Sequence, residues 1–252
     1  MLKGRIALVT GASRGIGAAT AELLASRGAI VAASARTVPD LEQLVARIKE
    51  NGGQALVVPC DVVRPEQVES MIGRVQKEYG RLDILINNAG MGIPSTPVEE
   101  ISPEEWDRTL SLNLKSAFLC IRATAPTMKK QGYGRIVNVS SLAGRTYSPF
   151  RGSPYTAAKA GLIGFTRQMA AELGPHGICV NALAPYLVLT QRAKALWDSF
   201  PEEKRQAIIT GIPLRRLARV EEVASAIAFL ASDDASFVNG VCLDVNGGST
   251  MI

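Results

Sequence analysis

The sequence predicts an α/β protein: one doubly wound domain, residues 1–252, with seven mostly parallel strands and helices on both faces of the sheet. Three observations predict it. Short aliphatic or β-branched runs alternate along the chain with longer stretches of helical periodicity. The strand runs are nearly continuous in apolar character, as a sheet covered on both faces requires. No internal repeat or linker-like composition divides the chain.

In chain order, Arg5–Thr10 is the first strand, an apolar run stopped by a glycine turn, and Gly15–Arg27 follows as an Ala- and Leu-rich helix. Ile30–Ser34 is the second strand, Leu41–Asn51 the second helix and Ala55–Pro59 the third strand. Pro65–Tyr79 is helical and closes at Gly80, Ile84–Asn87 is the fourth strand, and Pro103–Lys130 reads as one long helix. Arg135–Ser140, Cys179–Ala184 and Val241–Val245 complete the strands, with helices at Tyr155–Leu173 and Val220–Ala231. The long irregular segment from Pro185 to Pro213 carries a short helical piece at Gln191–Phe200, and loops of this length often close over a site; the lid is expected at about 186–213.

Composition narrows the function. With 47% hydrophobic and 20% charged residues the chain is an ordinary globular one, which excludes disorder. The opening Met-Leu-Lys-Gly shows no secretory pattern, and the longest charge-free stretch, Leu173–Gln191, is broken by Gly174, Pro175, Gly177 and Pro185, so a cytoplasmic protein with no membrane span is expected. Cys60, Cys120, Cys179 and Cys242 lie far apart in apolar segments, as reduced buried thiols do. One histidine, His176, gives no metal cluster and little basis for a Ser-His-Asp hydrolase. The net charge of +5 comes from scattered Lys and Arg, without the basic run that a nucleic-acid site needs.

Chemistry is concentrated in two places. The first is Thr10-Gly11-Ala12-Ser13-Arg14-Gly15-Ile16-Gly17, between a strand and a helix. Gly11 permits the tight turn, Gly15 lets a pyrophosphate approach the backbone and Gly17 allows close helix packing, while the helix N-terminus offers free N–H groups: the turn of a dinucleotide-binding Rossmann fold. The second strand ends in Ala35-Arg36-Thr37, with no acid before Asp40 to hold a ribose 2′-hydroxyl. Arg36 and Arg14 suit a 2′-phosphate instead, so NADP(H) is preferred, with NAD(H) the alternative.

The second place is Tyr155 and Lys159, one helical turn apart, with Asn138-Val139-Ser140-Ser141 delivering hydroxyls to the carboxyl edge of the sheet. A phenol needs an adjacent cation to bring it toward useful acid–base range, and Lys159 is placed to supply one.

With these motifs, with Asp61-Val62, Asn87-Asn88-Ala89-Gly90 and Asn113, and with the tail Asn239-Gly240 through Gly248, the sequence resembles the short-chain dehydrogenase/reductase family over nearly its whole length. Thr10–Gly17 and Ala158–Phe165 resemble that family's 3-oxoacyl-[acyl-carrier-protein] reductases. The resemblance implies Tyr155 as general acid in carbonyl reduction, Ser141 bonded to the substrate oxygen, and Lys159 lowering the phenol pKa while binding the nicotinamide ribose. It implies that Asn113 interrupts its helix to hold a water linking Lys159 to solvent. It further assigns Asp61 and Val62 to the adenine, Asn87, Ala89 and Gly90 to the adenosine and its ribose, the backbone near Val188 and Thr190 to the carboxamide, and a homotetramer to the assembly. Ser140 reads as structural.

One departure stands out: the family's Pro-Gly after the sixth strand is Pro185-Tyr186 here, which removes backbone freedom beside the nicotinamide. Leu142, Tyr147, Phe150, Tyr186, Trp197 and Phe200 suggest an apolar or flat substrate, with lid packing an equal alternative for each aromatic and the preferred one for Trp197, while Arg145, Arg151 and Arg192 suit a carboxylate or phosphate. A 3-oxoacyl thioester, free or carrier-bound, is the first expectation, although His176 stands where carrier reductases often have arginine. A sugar, polyol or small-ketone oxidoreductase and a non-catalytic NADP(H)-binding regulator are the alternatives.

Overall fold

The computed structural model describes residues 2–251, except the side chains of Arg192 and Leu196. The seven strands are β1 (Ile6–Thr10), β2 (Ile30–Ser34), β3 (Gln54–Val57), β4 (Ile84–Asn87), β5 (Gly134–Val139), β6 (Ile178–Pro185) and β7 (Cys242–Val245). They form one sheet in the order β3-β2-β1-β4-β5-β6-β7, parallel throughout. The chain runs outward from β1 to β3 and then returns to β4 on the other side of β1. The carboxyl ends of β1 and β4 therefore flank the point where the winding reverses, the position at which such sheets bind ligands.

Helices α1 (Gly15–Ser26), α2 (Val38–Glu50) and α9 (Val220–Leu230) cover one face. Helices α3 (Pro65–Tyr79), α5 (Ser116–Gln131) and α6 (Ser153–Leu173) cover the other. Strand residues alternate between the two cores: Ala7, Val9 and Ile86 face α1 and α9, whereas Ile6, Leu8 and Leu85 face α3 and α5. Fully buried aliphatic side chains of this kind stabilise by about 1.5–3 kcal/mol each, which fixes the strand ends that carry the site.

Four differences from the sequence reading have local causes. Pro39 fits the first turn of α2, so that helix starts at Val38 and not at Leu41. Pro154 does the same for α6, which puts Tyr155 in its opening turn. The long helix is three pieces: α4 (Pro103–Leu110), a π-helical turn at Ser111–Lys115, and α5. Beyond β6 there are two helices, α7 (Gln191–Asp198) and α8 (Glu202–Thr210), where the sequence suggests one. No described helix is long and apolar enough to cross a membrane.

Candidate active site

The turn after β1 is built by glycines and by two polar side chains. Gly11 and Gly15 have φ of +64° and +58°, the left-handed region open to glycine. A Cβ on Gly11 would stand 2.9 Å from the Ala89 Cα, so the loops after β1 and β4 lie against each other. Thr10 Oγ1 accepts from the backbone N–H groups of Asn88 and Ala89 at 3.0 and 3.1 Å, and Asn88 Nδ2 donates to the Thr10 and Gly11 carbonyls at 2.9 and 3.2 Å. Gly17 sits beneath this lattice, where a Cβ would collide with the Gly11 carbonyl and come within 2.5 Å of Asn88 Nδ2. Sequence reasoning listed Gly17 but missed Thr10 and Asn88 as supports. The signal available was a threonine at a strand end and a second asparagine in Asn87-Asn88.

No side chain caps α1, whose N-cap is Arg14, so its opening N–H groups face the turn unclaimed by a protein side chain. A dinucleotide pyrophosphate fits this cradle: free donors, a helix N-terminus and two glycines that keep Cβ atoms out. Ser13 lies partly exposed in the turn, while the Ile16 side chain packs on the core.

At the adenosine end the residues separate. Arg36 is exposed and forms no ion pair among the described residues, whereas Arg14 Nη2 pairs with Asp40 at 3.2 Å rather than standing free for a phosphate. Exposed pairs of this kind are weak and exchangeable. Cys60 N–H donates to the Ala35 carbonyl, which brings the following Asp61 and the buried Val62 beside the β2 end. Asn87 closes β4 at the same edge, and its Nδ2 donates to Asn138 Oδ1 at 2.8 Å, so that side chain ties β4 to β5.

Ser141, Tyr155, Lys159 and Asn113 converge at the carboxyl end of β5. Ser141 caps a short turn, its Oγ accepting from Ala143 N–H at 3.2 Å. Ser140 Oγ donates to the Lys159 carbonyl at 2.9 Å, the structural role read from sequence. Lys159 is 4% exposed and donates from Nζ to the Val139 carbonyl at 2.8 Å; burial pushes its ammonium down to about 8. A Cβ on Gly90 would stand 2.8 Å from Asn113 Oδ1 and 3.3 Å from Lys159 Nζ, so these three meet at one point. Asn113 makes the π turn by donating Nδ2 to the Thr109 and Met91 carbonyls while its Oδ1 accepts from Met91 N–H.

Burial raises the Tyr155 phenol above its ordinary value, and the Ser141 hydroxyl and the Arg151 guanidinium oppose the rise. The Lys159 ammonium lies 5.6 Å from the Tyr155 ring centre and spends a hydrogen bond on Val139.

A sequence profile described as enoyl-(acyl carrier protein) reductase matches residues 11–250. The 3-oxoacyl-[acyl-carrier-protein] reductase FabG of Vibrio cholerae is 42% identical over 252 residues, covering 100% of this chain and 99% of its own. The chain belongs to the short-chain dehydrogenase/reductase family. Among solved structures, levodione reductase superposes with a TM-score of 0.93 at 33% identity, covering 98% of this chain and 97% of its own. The 3-oxoacyl-[acyl-carrier protein] reductase of Brucella melitensis superposes with 0.92 at 36%, covering 99% and 92%. As a member of this family the protein is an oxidoreductase acting on CH–OH and C=O groups with a nicotinamide cofactor.

The segment after β6 begins with Tyr186, next to Pro185 at the strand end. Tyr186 N–H is held by the Val245 carbonyl, and burial together with nearby Tyr147 raises its phenol pKa. Val188 packs against the core and bridges Ala218, and Thr190 caps α7 through Oγ1 on Ala193 N–H. Thr190 also reaches the glycine turn, its Cγ2 3.2 Å from where a Gly15 Cβ would be, so the base of the expected lid touches the phosphate cradle. Trp197 packs edge-on against Phe200, which stacks on Phe150, both at 6.4 Å between ring centres. The Arg192 side chain lies outside the described residues.

Proposed function

We propose that this protein uses NADPH to reduce the ketone of a 3-oxoacyl thioester to the secondary alcohol. The observation that carries the reading is the meeting of Ser141, Tyr155, Lys159 and Asn113 at the end of β5, beside a cradle for a dinucleotide; full-length similarity to enzymes named 3-oxoacyl-[acyl-carrier-protein] reductases supports the substrate. The absence of an acid at the end of β2 and the free Arg36 support the phosphorylated cofactor.

The bound nicotinamide supplies the hydride. Ser141 Oγ donates to the substrate oxygen and polarises it, and Tyr155, held protonated by burial, gives that oxygen its proton. Lys159 would hold the nicotinamide ribose through its ammonium and return a proton to Tyr155, and Asn113 would hold the water that joins it to solvent. Asp61, Val62, Asn87, Ala89 and Gly90 would hold the adenosine side, and the Val188–Thr190 backbone would hold the carboxamide. Reduction of a small ketone is a second reading, favoured by the Phe150–Phe200 stack and by the likeness to levodione reductase.

The assembly proposed is a homotetramer. Trp106 and Phe118 are 38% and 42% exposed on α4 and α5, with Phe165 of α6 packed edge-on to Phe118, and Phe229, Phe237 and Val241 are exposed apolar residues as well. Light scattering at one chain mass would refute it. The free cysteines support a reducing, cytoplasmic setting.

The function is tested by following NADPH absorbance with acetoacetyl thioesters, small diketones and keto sugars, with Tyr155→Phe run in parallel. Thioester reduction lost in Tyr155→Phe, with NADPH binding kept, is the expected result. Turnover confined to sugars rejects the thioester assignment, and full turnover by Tyr155→Phe rejects its role as acid. A protein that binds NADPH and turns over nothing is the non-catalytic regulator.

A further inference from the structure

The loops on the substrate side carry an unbalanced charge. Residues 91–97, 141–155 and 186–197 contain no Asp or Glu. Two acids that border these segments are already matched: Asp198 accepts from Lys194 at 2.5 Å, and Asp244 pairs with Arg145 at 3.0 Å. Arg151 has no ion pair among the described residues, and it lies close enough to Tyr155 to act on the phenol electrostatically.

Its position is built. A Cβ on Gly92 would stand 2.7 Å from Arg151 Nε and 2.9 Å from its Cζ, so the guanidinium lies against the Gly92 backbone. The neighbouring Gly152 donates its N–H to the Ile93 carbonyl at 3.3 Å, and a Cβ there would reach the Pro94 carbonyl at 2.8 Å. Two loops thus clamp the start of α6 and hold a partly buried, unmatched cation beside the reacting phenol. A guanidinium so placed seeks an oxygen acceptor from outside the protein.

We propose that Arg151 determines specificity: it receives the carboxyl-level oxygen of the substrate, a carboxylate or a thioester carbonyl, while the neighbouring ketone lies between Ser141 and Tyr155. This rests on the carbonyl-reductase reading and narrows it to ketones with a carboxyl-level group next to the reacting centre. A plain ketone fills the same space but leaves the guanidinium without its partner.

The test compares 3-oxobutanoate, its N-acetylcysteamine thioester and 2-pentanone in the wild-type protein, Arg151→Met, Arg151→Lys and Gly92→Ala, with NADPH binding as the check on folding. Loss of one charged hydrogen bond lowers the kcat/KM ratio of 3-oxobutanoate to 2-pentanone about ten- to hundredfold in Arg151→Met. Any effect passing through Tyr155 falls on both substrates and cancels in the ratio. Arg151→Lys restores part of it, and Gly92→Ala, which pushes the guanidinium off its seat, reproduces the loss. A fall shared by the thioester assigns the neutral carbonyl as well as the carboxylate; an unchanged ratio in Arg151→Met overturns the proposal.

Calorimetry of 3-oxobutanoate binding to the complex with NADP⁺, where no turnover occurs, separates the two readings. Binding that depends on Arg151 without reduction of any ketone keeps the anchor and rejects the reductase. Reduction with a ratio indifferent to Arg151 keeps the reductase and rejects the anchor.

Discussion

Gly17→Ala tests the phosphate cradle because local and tertiary physics predict opposite signs. Alanine inside a helix is favoured over glycine by about 1 kcal/mol, so α1 considered alone gains stability. The fold allows no such gain. The new methyl would come within 2.5 Å of Asn88 Nδ2, the donor that holds the Thr10 and Gly11 carbonyls, and would also collide with the Gly11 carbonyl itself. Overpacking costs about 1–3 kcal/mol and the two strained hydrogen bonds about 1 kcal/mol each, so the variant should be less stable by about 3 kcal/mol. For a chain of this size that lowers Tm by roughly 10 °C. The N-terminus of α1 moves off the turn at the same time, so NADPH affinity, read by fluorescence titration, should fall at least about tenfold, as expected when donors lose their aim at an anion. A variant as stable as the wild type in urea, with unchanged NADPH affinity, would refute the reasoning.

Arg36→Ala should weaken NADPH about ten- to hundredfold and leave NADH within about twofold, because only NADPH presents the 2′-phosphate; equal effects in the same titration make Arg36 a bystander. Lys159 gives a stability prediction. Its native pKa of about 8 lies below the ordinary 10.5, so between these values the unfolded chain holds a proton the native protein has released, and stability rises with pH through that window. Below pH 8 the buried ammonium costs about 3 kcal/mol, which Lys159→Met removes. The stability of Lys159→Met relative to wild type in urea should therefore be greatest near pH 7 and lower by about 3 kcal/mol near pH 10.5; a constant difference rejects the shift.

The glycine turn and the Tyr155–Lys159 pair were legible because each depends on spacing within a few residues. Contacts set by distant parts of the chain were not. Arg14 turns to Asp40, 26 positions away, a choice among surface partners that no local pattern encodes. The π turn escapes periodicity because Asn113 bonds the Met91 backbone across the site. In the same way the Asn87 side chain is claimed by Asn138, a partner set by the register of β4 on β5. The helix α8 escaped because its residues are mostly charged or half-exposed, leaving no buried stripe to read.

The contacts of Lys159 separate the chemistry of the site from the side chains of the loop that precedes α6. The lysine is gripped twice from β5, through Nζ on the Val139 carbonyl and through its own carbonyl on Ser140 Oγ, and Gly144 packs against its backbone. These contacts use backbone atoms or residues buried in the sheet, so they hold whatever side chains occupy residues 145–153. That loop is tied down at its two ends, by Arg145 on Asp244 and by Gly152 on Ile93. Side chains between those anchors, Tyr147 and Phe150 among them, can change without moving Ser141 or Tyr155. Arg151 is the exception: it lies next to the second anchor, on a glycine, with the phenol in its field, so changing it alters selectivity and acid strength together.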